Sequence, residues 1–304
     1  MAPKVSVIMP AYNSADFIKE SLNSIINQTL TDFELIVVDD GSTDETSKVI
    51  LSLGDQRIKC ERIANCGAAG ARNHGLSFAQ GEYIAYCDHD DKFRADHLQS
   101  LADYLDANTN IGLVYSRAQL LQADGTIMGE WGREYDQKEF ERFCFFVPSM
   151  VMHRRNCLDK VGGWDENPLL RHGGEDWDFF LRFSDHYPLA FVDQPTSFWV
   201  RRSASSLAQA IKSRKFFAAD GYVLKKRLKS KKETVRGKLV APYSGYYFDN
   251  FLRWQNACSL GSEISPAEMM SIYRDQFLPF YIEIAEIDPD NLEIWLLLSL
   301  LYFV

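Results

Sequence analysis

The chain has 304 residues, 46% of them hydrophobic, which is enough for one large domain with an extension or for two modest domains. Its formal net charge of -9 argues against a nucleic-acid-binding surface, although loops, a metal ion and a few arginines can still hold an anionic ligand locally. Six cysteines without any CxxC pair favour a reducing compartment over a disulfide framework or a zinc site.

Neither end of the chain carries a recognisable export or anchoring signal. MAPKVSVIMPAYN has one lysine and a short apolar run broken by proline, so it does not form the apolar core of a signal peptide. The final apolar stretch, IWLLLSLLYFV, is well below the roughly 20 residues that span a bilayer. We therefore expect a cytoplasmic protein whose last helix packs against a partner.

Strands and helices alternate along the first hundred residues. KVSVIM predicts a buried strand that stops at Pro10, and SADFIKESLNSIINQ predicts a helix. FELIVVDD predicts the second strand, and Ser42 or Thr43 is expected to cap the helix after it. RIKCERI and EYIAYC predict two more strands around the alanine-rich stretch NCGAAGARNHGLSFAQ. This order predicts an α/β fold with a mostly parallel sheet, in which ligands bind outside the carboxyl ends of the strands.

The remaining chain predicts the end of this domain and a helical extension. A helix from about Ala95 to Leu105, strands at IGLVYS, MVMHR and YPLAFVD, and an amphipathic helix from GGED onward complete the alternation. Beyond about Ser206 the composition becomes basic and helical. We place the domain boundary so that residues 1–210 form the α/β domain and residues 211–304 an all-α extension. The last helices are similar to a junction between tetratricopeptide repeats, so this extension is read as a TPR-like or partner-docking region.

Three polar stretches follow predicted strands and should meet at one edge of the sheet: PAYN, DDGS and DHDD. In the last of these, Asp88 and Asp90 form an Asp-x-Asp motif at a strand end. One carboxylate of such a pair can reach a divalent ion while the other accepts from a sugar or nucleotide hydroxyl, and hard oxygen ligands suit Mg²⁺ or Mn²⁺. A capped, solvated turn is the structural alternative.

Further polar residues have both a chemical and a structural reading. Asp40 can accept from a base N–H, and Arg72 can pair with Asp40 or contact a base carbonyl. Asp176 at a helix start can act as general base beside Glu175, or both can simply offset the helix dipole. The pair Arg201 and Arg202 can clamp a diphosphate or stay solvated. Neither a GxxxxGK[ST] phosphate loop nor a GxGxxG after the first strand is present, so a nucleotide would be held in another way.

Taken in order, the stretches VSVIMPAYN, SLNSIINQTLTDFELIVVDDGSTDET, GARNHGL, GEYIAYCDHDD, VGGWDE and GGEDWDFFLRF resemble the family 2 glycosyltransferases of the GT-A fold, especially bacterial spore-coat and exopolysaccharide members. The resemblance covers roughly residues 4 to 206. It implies a Rossmann-like sheet and an inverting, metal-dependent enzyme that moves a sugar from a nucleotide-diphosphate donor, with uracil as the expected base. The implied acceptor is a hydroxyl of a glycan, a lipid-linked glycan or a protein.

The resemblance also assigns roles residue by residue. Pro10, Ala11 and Tyr12 would line the base and ribose pocket, Asp40 and Arg72 would contact the base, and Asp88 would lie by the ribose or the metal. Asp90 would hold Mn²⁺ or Mg²⁺ with Asp88, and Asp91 would support them. Asp176 would be the base, assisted by Glu175. Apart from the resemblance, we expect a cytoplasmic protein, either free or at the inner face of the membrane, whose C-terminal helices dock a polypeptide acceptor, a lipid-bearing partner or a second copy of the chain.

Two departures from the family pattern bear on the metal site. The stretch WVRRSASS stands where many relatives carry a Tyr-Arg-x-His pattern, so Arg201 or Arg202 would take over a histidine's contact with the metal or the diphosphate. His89 replaces a commonly small residue and has no assigned role. Substrate specificity is expected in the loops that carry the residues Trp131, Arg133, Phe145, Phe146, Ser149 and His172.

Two rival functions remain open at this point. A nucleotidyltransferase would also use an acidic metal site, but it would release pyrophosphate and would have no role for the GGED helix. A non-catalytic scaffold that binds a sugar nucleotide would keep binding without transfer. A phosphatase of the haloacid type fits poorly, because its DxDx[TV] should follow the first strand whereas DHDDK follows the fourth.

Overall fold

The structure is a computed structural model that describes residues 2–141, 143–171, 173–202, 215–230 and 282. Its strands are β1 Val5–Ala11, β2 Phe33–Asp39, β3 Ile58–Arg62, β4 Tyr83–Tyr86, β5 Lys92–Phe93, β6 Leu113–Gln122, β7 Ile127–Trp131, β8 Val151–Arg154 and β9 Leu189–Arg201. Its α-helices are α1 Ile18–Ile26, α2 Thr46–Ser52, α3 Ala68–Phe78, α4 His97–Ala107, α5 Gln137–Phe140, α6 Leu158–Val161, α7 Glu175–His186 and α8 Lys215–Ser230. Short 3-10 helices lie at Pro148–Met150, Arg155–Cys157 and Pro168–Leu170.

The chain divides into two compact units, and each is described by itself. The larger comprises Met1–Arg171 and Glu175–Ala208 and contains β1 to β9, while the second comprises His172–Gly174 and Gln209–Val304 and contains α8. The helices that the sequence predicts near the C-terminus, with their repeat-like junction, lie outside the described residues. Across the ranges given above, we find no helix with the length and apolar character needed to cross a membrane.

The sheet of the larger unit has the order β3-β2-β1-β4-β8-β6-β9-β5, with β7 paired to β6. Strands β3, β2, β1 and β4 are mutually parallel, and β6 is parallel to β9. Strand β8 is antiparallel to both of its neighbours, and the short strands β5 and β7 are antiparallel at the margins. The mostly parallel α/β sheet predicted from the alternation of elements is therefore confirmed.

Burial explains why the first two strands are nearly continuous apolar runs. Every residue of β1 and β2 is buried, as expected for parallel strands covered on both faces. Helix α1 packs Ile18, Leu22 and Ile25 into the same core, which matches the predicted helical face. Helix α7 buries an aromatic set that includes Trp177, Phe179, Phe180 and Phe183.

Strand β1 does not stop at Pro10, as the sequence predicts, but continues through Ala11. Pro10 pairs with Val38 of β2, whereas the pairing of β1 with β4 already ends at Ile8. Alternation along the strand points the ring nitrogen of Pro10 toward the β4 side, beyond the last residue of that strand. The missing N–H therefore removes no ladder hydrogen bond, which is the usual condition for proline in a strand.

Two other local predictions are wrong. Neither Ser42 nor Thr43 caps α2; the Asp44 carboxylate accepts from the Thr46 N–H at 3.0 Å instead. Strand β9 is longer than YPLAFVD, because after a register shift it continues beside β6 as far as Arg201. The short strands β5 and β7 are additions, since neither carries an apolar alternation long enough to predict them.

Candidate active site

The loops after β1, β2 and β4 meet at the carboxyl edge of the sheet, as the sequence predicts. The Asn13 N–H donates to Ser42 Oγ at 2.9 Å, which joins the first two loops. His89 Nδ1 lies 3.0 Å from the Pro10 carbonyl oxygen, which joins the first to the third. A carbonyl oxygen only accepts, so Nδ1 carries the proton in this contact. Three segments far apart in sequence thus form one polar rim.

The two acids at the end of β2 have different tasks. Asp39 is fully buried, and its Oδ1 accepts from the Ser42 N–H at 2.8 Å while Oδ2 meets Arg62 at 3.2 Å. Asp40 is 4% exposed and accepts from the backbone N–H groups of Cys66 and Gly67 at 2.7 and 2.9 Å. Asp39 therefore shapes the turn, while Asp40 holds the loop that leads into α3.

Arg72 does not pair with Asp40. The Arg72 side chain is 3% exposed, its Nη2 lies 2.7 Å from Asp88 Oδ1, and its Nη1 lies 3.0 Å from Glu175 Oε1. Burial alone would lower the pKa of Arg72, but the two carboxylates raise it above its ordinary value. The Asp40 carboxylate accepts from two backbone N–H groups, and the partners of Arg72 come instead from the loop after β4 and from the start of α7.

The three acids of YCDHDD divide between the surface and the interior. Asp91 is 2% exposed, and its two oxygens accept from Ser149 Oγ at 2.6 Å and from the Val200 N–H at 3.0 Å. Burial, reinforced by the neighbouring acids, raises the pKa of Asp91 well above its ordinary range. Asp88 and Asp90 are only partly buried. Asp91 therefore braces the loop, and the other two acids stay available for ligand.

Ser149 is part of this brace. Its Oγ donates to Asp91 and accepts from the Asp88 N–H at 3.0 Å, so a single hydroxyl ties the 3-10 helix Pro148–Met150 to the acidic loop. Sequence reasoning placed Ser149 only in a specificity loop. No sequence signal pairs it with Asp91, which is 58 positions away.

His89 acquires a structural role. Its ring stacks on Phe17 at a centroid distance of 5.7 Å, and its carbonyl oxygen accepts from Ser21 Oγ at 2.9 Å. The guanidinium of Arg202 lies 4.3 Å from the centroid of the same Phe17 ring. Phe17 thus brings His89 and Arg202 to one place beside the acidic loop.

Arg201 is the last residue of β9 and Arg202 follows it; of the two, Arg202 lies over Phe17 beside the acidic loop. Arg201 is exposed at the end of β9, whereas Arg202 is partly buried. The Nε atom of Arg202 is buried and has no hydrogen-bond partner among the described residues. A buried, unused donor beside carboxylates suits an anionic ligand.

The predicted base lies at the start of α7. Burial, and after it the charge of Glu175, raises the pKa of Asp176 to about 7. The Trp177 N–H donates to Asp176 Oδ1 at 2.7 Å. Glu175 Oε2 is buried without a hydrogen-bond partner in the described part of the chain, while its Oε1 meets Arg72. Asp176 is therefore poised to exchange a proton near neutral pH.

Sequence reasoning missed Trp164 as a component of the site. The Trp164 ring lies under the Arg72 guanidinium at 4.5 Å and stacks on Phe179 at 4.2 Å with an interplanar angle of 13°. The Asn73 side chain pairs with the backbone of Trp164 through bonds of 2.8 and 2.9 Å. The phrase VGGWDE was available in the sequence, but nothing in it places the indole beneath an arginine.

The residues expected in the specificity loops differ in how deeply they are buried. Phe145 and Phe146 are 2% and 1% exposed and pack in an aromatic cluster around Tyr115, so they do not contact a ligand directly. Trp131 is partly buried and meets Trp199 edge to face at 5.7 Å. The guanidinium of Arg133 lies over Phe143 and Phe145. His172 lies outside the described residues.

Asp88 and Asp90 offer a donor set that fits Mg²⁺ or Mn²⁺ in part. Burial, with the charge of Asp88, raises the pKa of Asp90, so a nearby cation would relieve crowded negative charge. The described residues contain no group of three or more His, Cys, Asp or Glu side chains that could hold a metal alone. A site with only two carboxylates would leave the other coordination positions of Mg²⁺ or Mn²⁺ to water and to the diphosphate.

Comparison with known proteins agrees with this geometry. The model of the family "Glycosyl transferase family 2" matches residues 6–162. An uncharacterized glycosyltransferase of Methanocaldococcus jannaschii is 30% identical over 244 residues, which cover 76% of this chain and 81% of the relative. An uncharacterized glycosyltransferase of Rickettsia typhi is 30% identical over 61% of this chain and 61% of the relative. The chondroitin synthase of Pasteurella multocida is 32% identical over 60% of this chain but only 19% of its own length.

Two solved structures share the fold. TarS 1-349 of S. aureus, in complex with UDP-GlcNAc, has a TM-score of 0.69 at 20% identity, over 93% of this chain and 81% of TarS 1-349. The mannosyltransferase PcManGT of Pyrobaculum calidifontis, in complex with GDP-Man and Mn²⁺, has a TM-score of 0.59 at 17% identity, over 94% and 84% of the two chains. The family match spans more than half of this chain and includes the loops after β1, β2 and β4, with Arg72, Asp88 and Asp90. The chain therefore belongs to glycosyl transferase family 2, and it is a glycosyltransferase.

Proposed function

We propose that this enzyme transfers a sugar, with inversion, from a UDP-sugar to a hydroxyl group of a glycan, a lipid-linked glycan or a protein, and that it uses Mn²⁺ or Mg²⁺. One observation carries the proposal. The guanidinium of Arg72 contacts Asp88, which lies at the sheet edge where the sugar donor is proposed to bind (the donor edge). It also contacts Glu175, which precedes Asp176 at the start of α7. A donor-binding group and a proton acceptor thus occupy one site.

The nucleotide is proposed to bind at the ends of β1 and β2. Tyr12 is 44% exposed just after β1, so its ring is free to cover a base or ribose, and Pro10 and Ala11 form the adjoining backbone. Asp40 lies at the same edge and is proposed to face the base. The uracil assignment draws support from the UDP-GlcNAc bound to TarS, and the GDP-Man of the mannosyltransferase makes guanine the second base to test.

The diphosphate is proposed to lie between the acidic loop and Arg202. Asp90 and Asp88 would hold the divalent ion, which when bound neutralises charge on the departing diphosphate. Arg202 offers a buried Nε that has no hydrogen-bond partner within the described ranges. Its guanidinium is held over Phe17 and therefore loses less freedom when it meets an anion.

Asp176 is proposed to take the proton of the acceptor hydroxyl. A carboxyl group with a pKa near 7 is ionised in a substantial fraction of molecules at neutral pH, and it binds a proton more strongly than an ordinary carboxylate does. Inversion requires that the acceptor attack from the face opposite the leaving group, so Asp176 must lie across the sugar from the diphosphate. Glu175 is proposed to assist by holding Arg72 and by keeping the pKa of Asp176 raised.

We propose residues 1–210 as the catalytic domain and residues 211–304 as a helical extension that docks a partner. The five cysteines among the described residues are all free thiols, which supports a reducing compartment, and we place the reaction at the cytoplasmic face of the membrane. The nucleotidyltransferase alternative is not retained, because the family is one of glycosyltransferases.

The test is a panel of UDP- and GDP-sugars with Mn²⁺ or EDTA, in which nucleotide release and nucleotide binding are both measured. We expect Mn²⁺ to tighten UDP binding, Asp90→Asn to abolish that gain, and Asp176→Asn to keep binding while it loses turnover. Asp159→Asn is the matched control, since Asp159 is an exposed acid in the first turn of α6. Metal-independent binding or full activity of Asp176→Asn would contradict the proposal. Binding without transfer to any acceptor would favour a scaffold.

A further inference from the structure

Arg72 has a position that a base contact does not explain. Its two terminal nitrogens are both engaged by carboxylates, Nη2 with Asp88 at 2.7 Å and Nη1 with Glu175 at 3.0 Å, and the side chain is 3% exposed. Asp88 follows β4, whereas Glu175 begins α7. The side chain is buried between these two acids and therefore offers little surface to a nucleobase, while its Nε, also buried, has no hydrogen-bond partner among the described residues.

The guanidinium is fixed on a further side. It lies 4.5 Å from the centroid of the Trp164 ring, which is itself stacked on Phe179 of α7. Asn73, the next residue along α3, holds the backbone of Trp164 at both its N–H and its carbonyl. Arg72 and Asn73 together therefore fasten α3 to the segment before α7.

A guanidinium differs from an ammonium in having two donor edges at a set spacing. Because the two terminal nitrogens of Arg72 are engaged by Asp88 and Glu175, the planar guanidinium determines the spacing between these two acids. Asp176 follows Glu175 directly in α7, so its position relative to Asp88 is set by the same fork. An offset of about 1 Å between reacting groups can cost about 100-fold in rate.

We propose that Arg72 is a positioning residue that holds the start of α7 at a set distance from the donor edge, and that it does not contact the base. This inference rests on the proposed roles of Asp88 and Asp176. It predicts that Arg72 governs turnover and leaves nucleotide affinity nearly unchanged. A base contact would have the opposite effect.

The experiment is a double-mutant cycle with Arg72→Lys and Glu175→Gln in the full chain, using UDP with Mn²⁺ for binding and the best UDP-sugar of the panel for turnover. We expect Arg72→Lys to lower kcat by about 10- to 100-fold, because an ammonium cannot engage both carboxylates at once. The dissociation constant for UDP should stay within about threefold. In the Glu175→Gln background, Arg72→Lys should lower kcat by a much smaller factor, because the contact between Arg72 and residue 175 is already weakened.

Arg57→Lys is the matched control. Arg57 also joins an ion pair, to Asp55 at 2.7 Å, and also lies against an aromatic ring, that of Phe33 at 4.3 Å, but its partners belong to neither the acidic loop nor α7. We expect its kcat to equal that of the wild type. Should Arg72→Lys fail to fold, Trp164→Phe loosens the guanidinium without removing its charge, and the same loss of kcat at constant UDP affinity is expected.

Two results would overturn the inference. One is weaker UDP binding at unchanged kcat, which would make Arg72 a base contact. The other is a double variant whose loss of kcat equals the product of the losses of Arg72→Lys and Glu175→Gln, which would show that the two residues act independently. The cycle is also measured as the urea midpoint of unfolding, which needs no substrate. Absence of turnover in the wild type would therefore defeat the proposed function, whereas additive unfolding midpoints would defeat the link made by Arg72.

Discussion

Asp176 carries the clearest conflict between folding and chemistry at the scale of single residues. Burial and the charge of Glu175 both disfavour its ionised form. In an unfolded chain the same group would ionise near its ordinary value of 3.8. Between these two pKa values the folded protein holds a proton that the unfolded chain releases, so the free energy of unfolding falls as pH rises from about 4 to about 7.

Asp176→Asn should therefore separate stability from activity. The amide has no charge to bury, so we expect the variant to melt higher than the wild type at about pH 8 and at nearly the same temperature at about pH 4. Its turnover should fall by about 10²- to 10⁴-fold, as expected for loss of a general base. Thermal melts in EDTA and nucleotide release measure the two effects. An equal difference in melting temperature at both pH values would show that Asp176 does not titrate in this window.

The acids of YCDHDD also show how far residue types alone can be interpreted. Clustered carboxylates at a strand end predict a cation site, and the family resemblance divides the roles among Asp88, Asp90 and Asp91. The support role for Asp91 agrees with its burial and its two hydrogen bonds. Its partners, Ser149 and the Val200 N–H, lie far along the chain, so no local pattern could identify them.

At the scale of elements, α3 depends on one close approach to β1. Gly75 faces this strand, and a Cβ atom there would lie 2.7 Å from Ile8 Cγ2 and 3.4 Å from Val38 Cγ2. Ile8 and Val38 are fully buried in neighbouring strands of the sheet, so a shift of either side chain would disturb the packed core. Helix α3, which carries Arg72 and Asn73, can therefore pack this closely against β1 only because residue 75 has no side chain.

Gly75→Ala should destabilise the fold although alanine favours helices. The gain in helix propensity is at most about 1 kcal/mol, whereas overpacking a rigid core typically costs about 1–3 kcal/mol, so we expect a net loss of about 1 kcal/mol or more. Urea unfolding measures it. Ser77→Ala is the control, because Ser77 is an exposed residue of the same helix. A Gly75→Ala protein more stable than the wild type would mean that α3 can shift away from β1 at little cost.

The elements also show where periodicity is informative. Strands β1, β2 and β4 and helices α1, α3 and α7 were predictable, because long apolar runs and helical faces leave few alternatives. The continuation of β9 beside β6 was not, since DQPT in its middle resembles a turn and only the partner strand holds it extended. Tertiary pairing outweighs local propensity at such places.

At the scale of the whole molecule, every described strand and the proposed catalytic groups belong to the larger unit. We therefore expect a fragment of residues 1–210 to unfold cooperatively and to bind UDP with Mn²⁺ within about threefold of the full chain. Calorimetry of fragment and full chain makes the comparison, and the fragment with Asp90→Asn is its control. A folded fragment that does not bind UDP would mean that the extension contributes to the donor site.

The sequence by itself determined the α/β class, the chain order of the main elements, the family and the set of acids at the strand ends, because these depend on apolar periodicity and on ordered local phrases. Only the tertiary structure decided which acids are buried and which partners they have: that Arg72 joins Asp88 to Glu175 across 16 and 103 positions, that Trp164 lies beneath it, and that Arg202 packs over Phe17 beside the acidic loop. Burial and pairing depend on residues from distant segments, and those distances exist only once the sheet has formed.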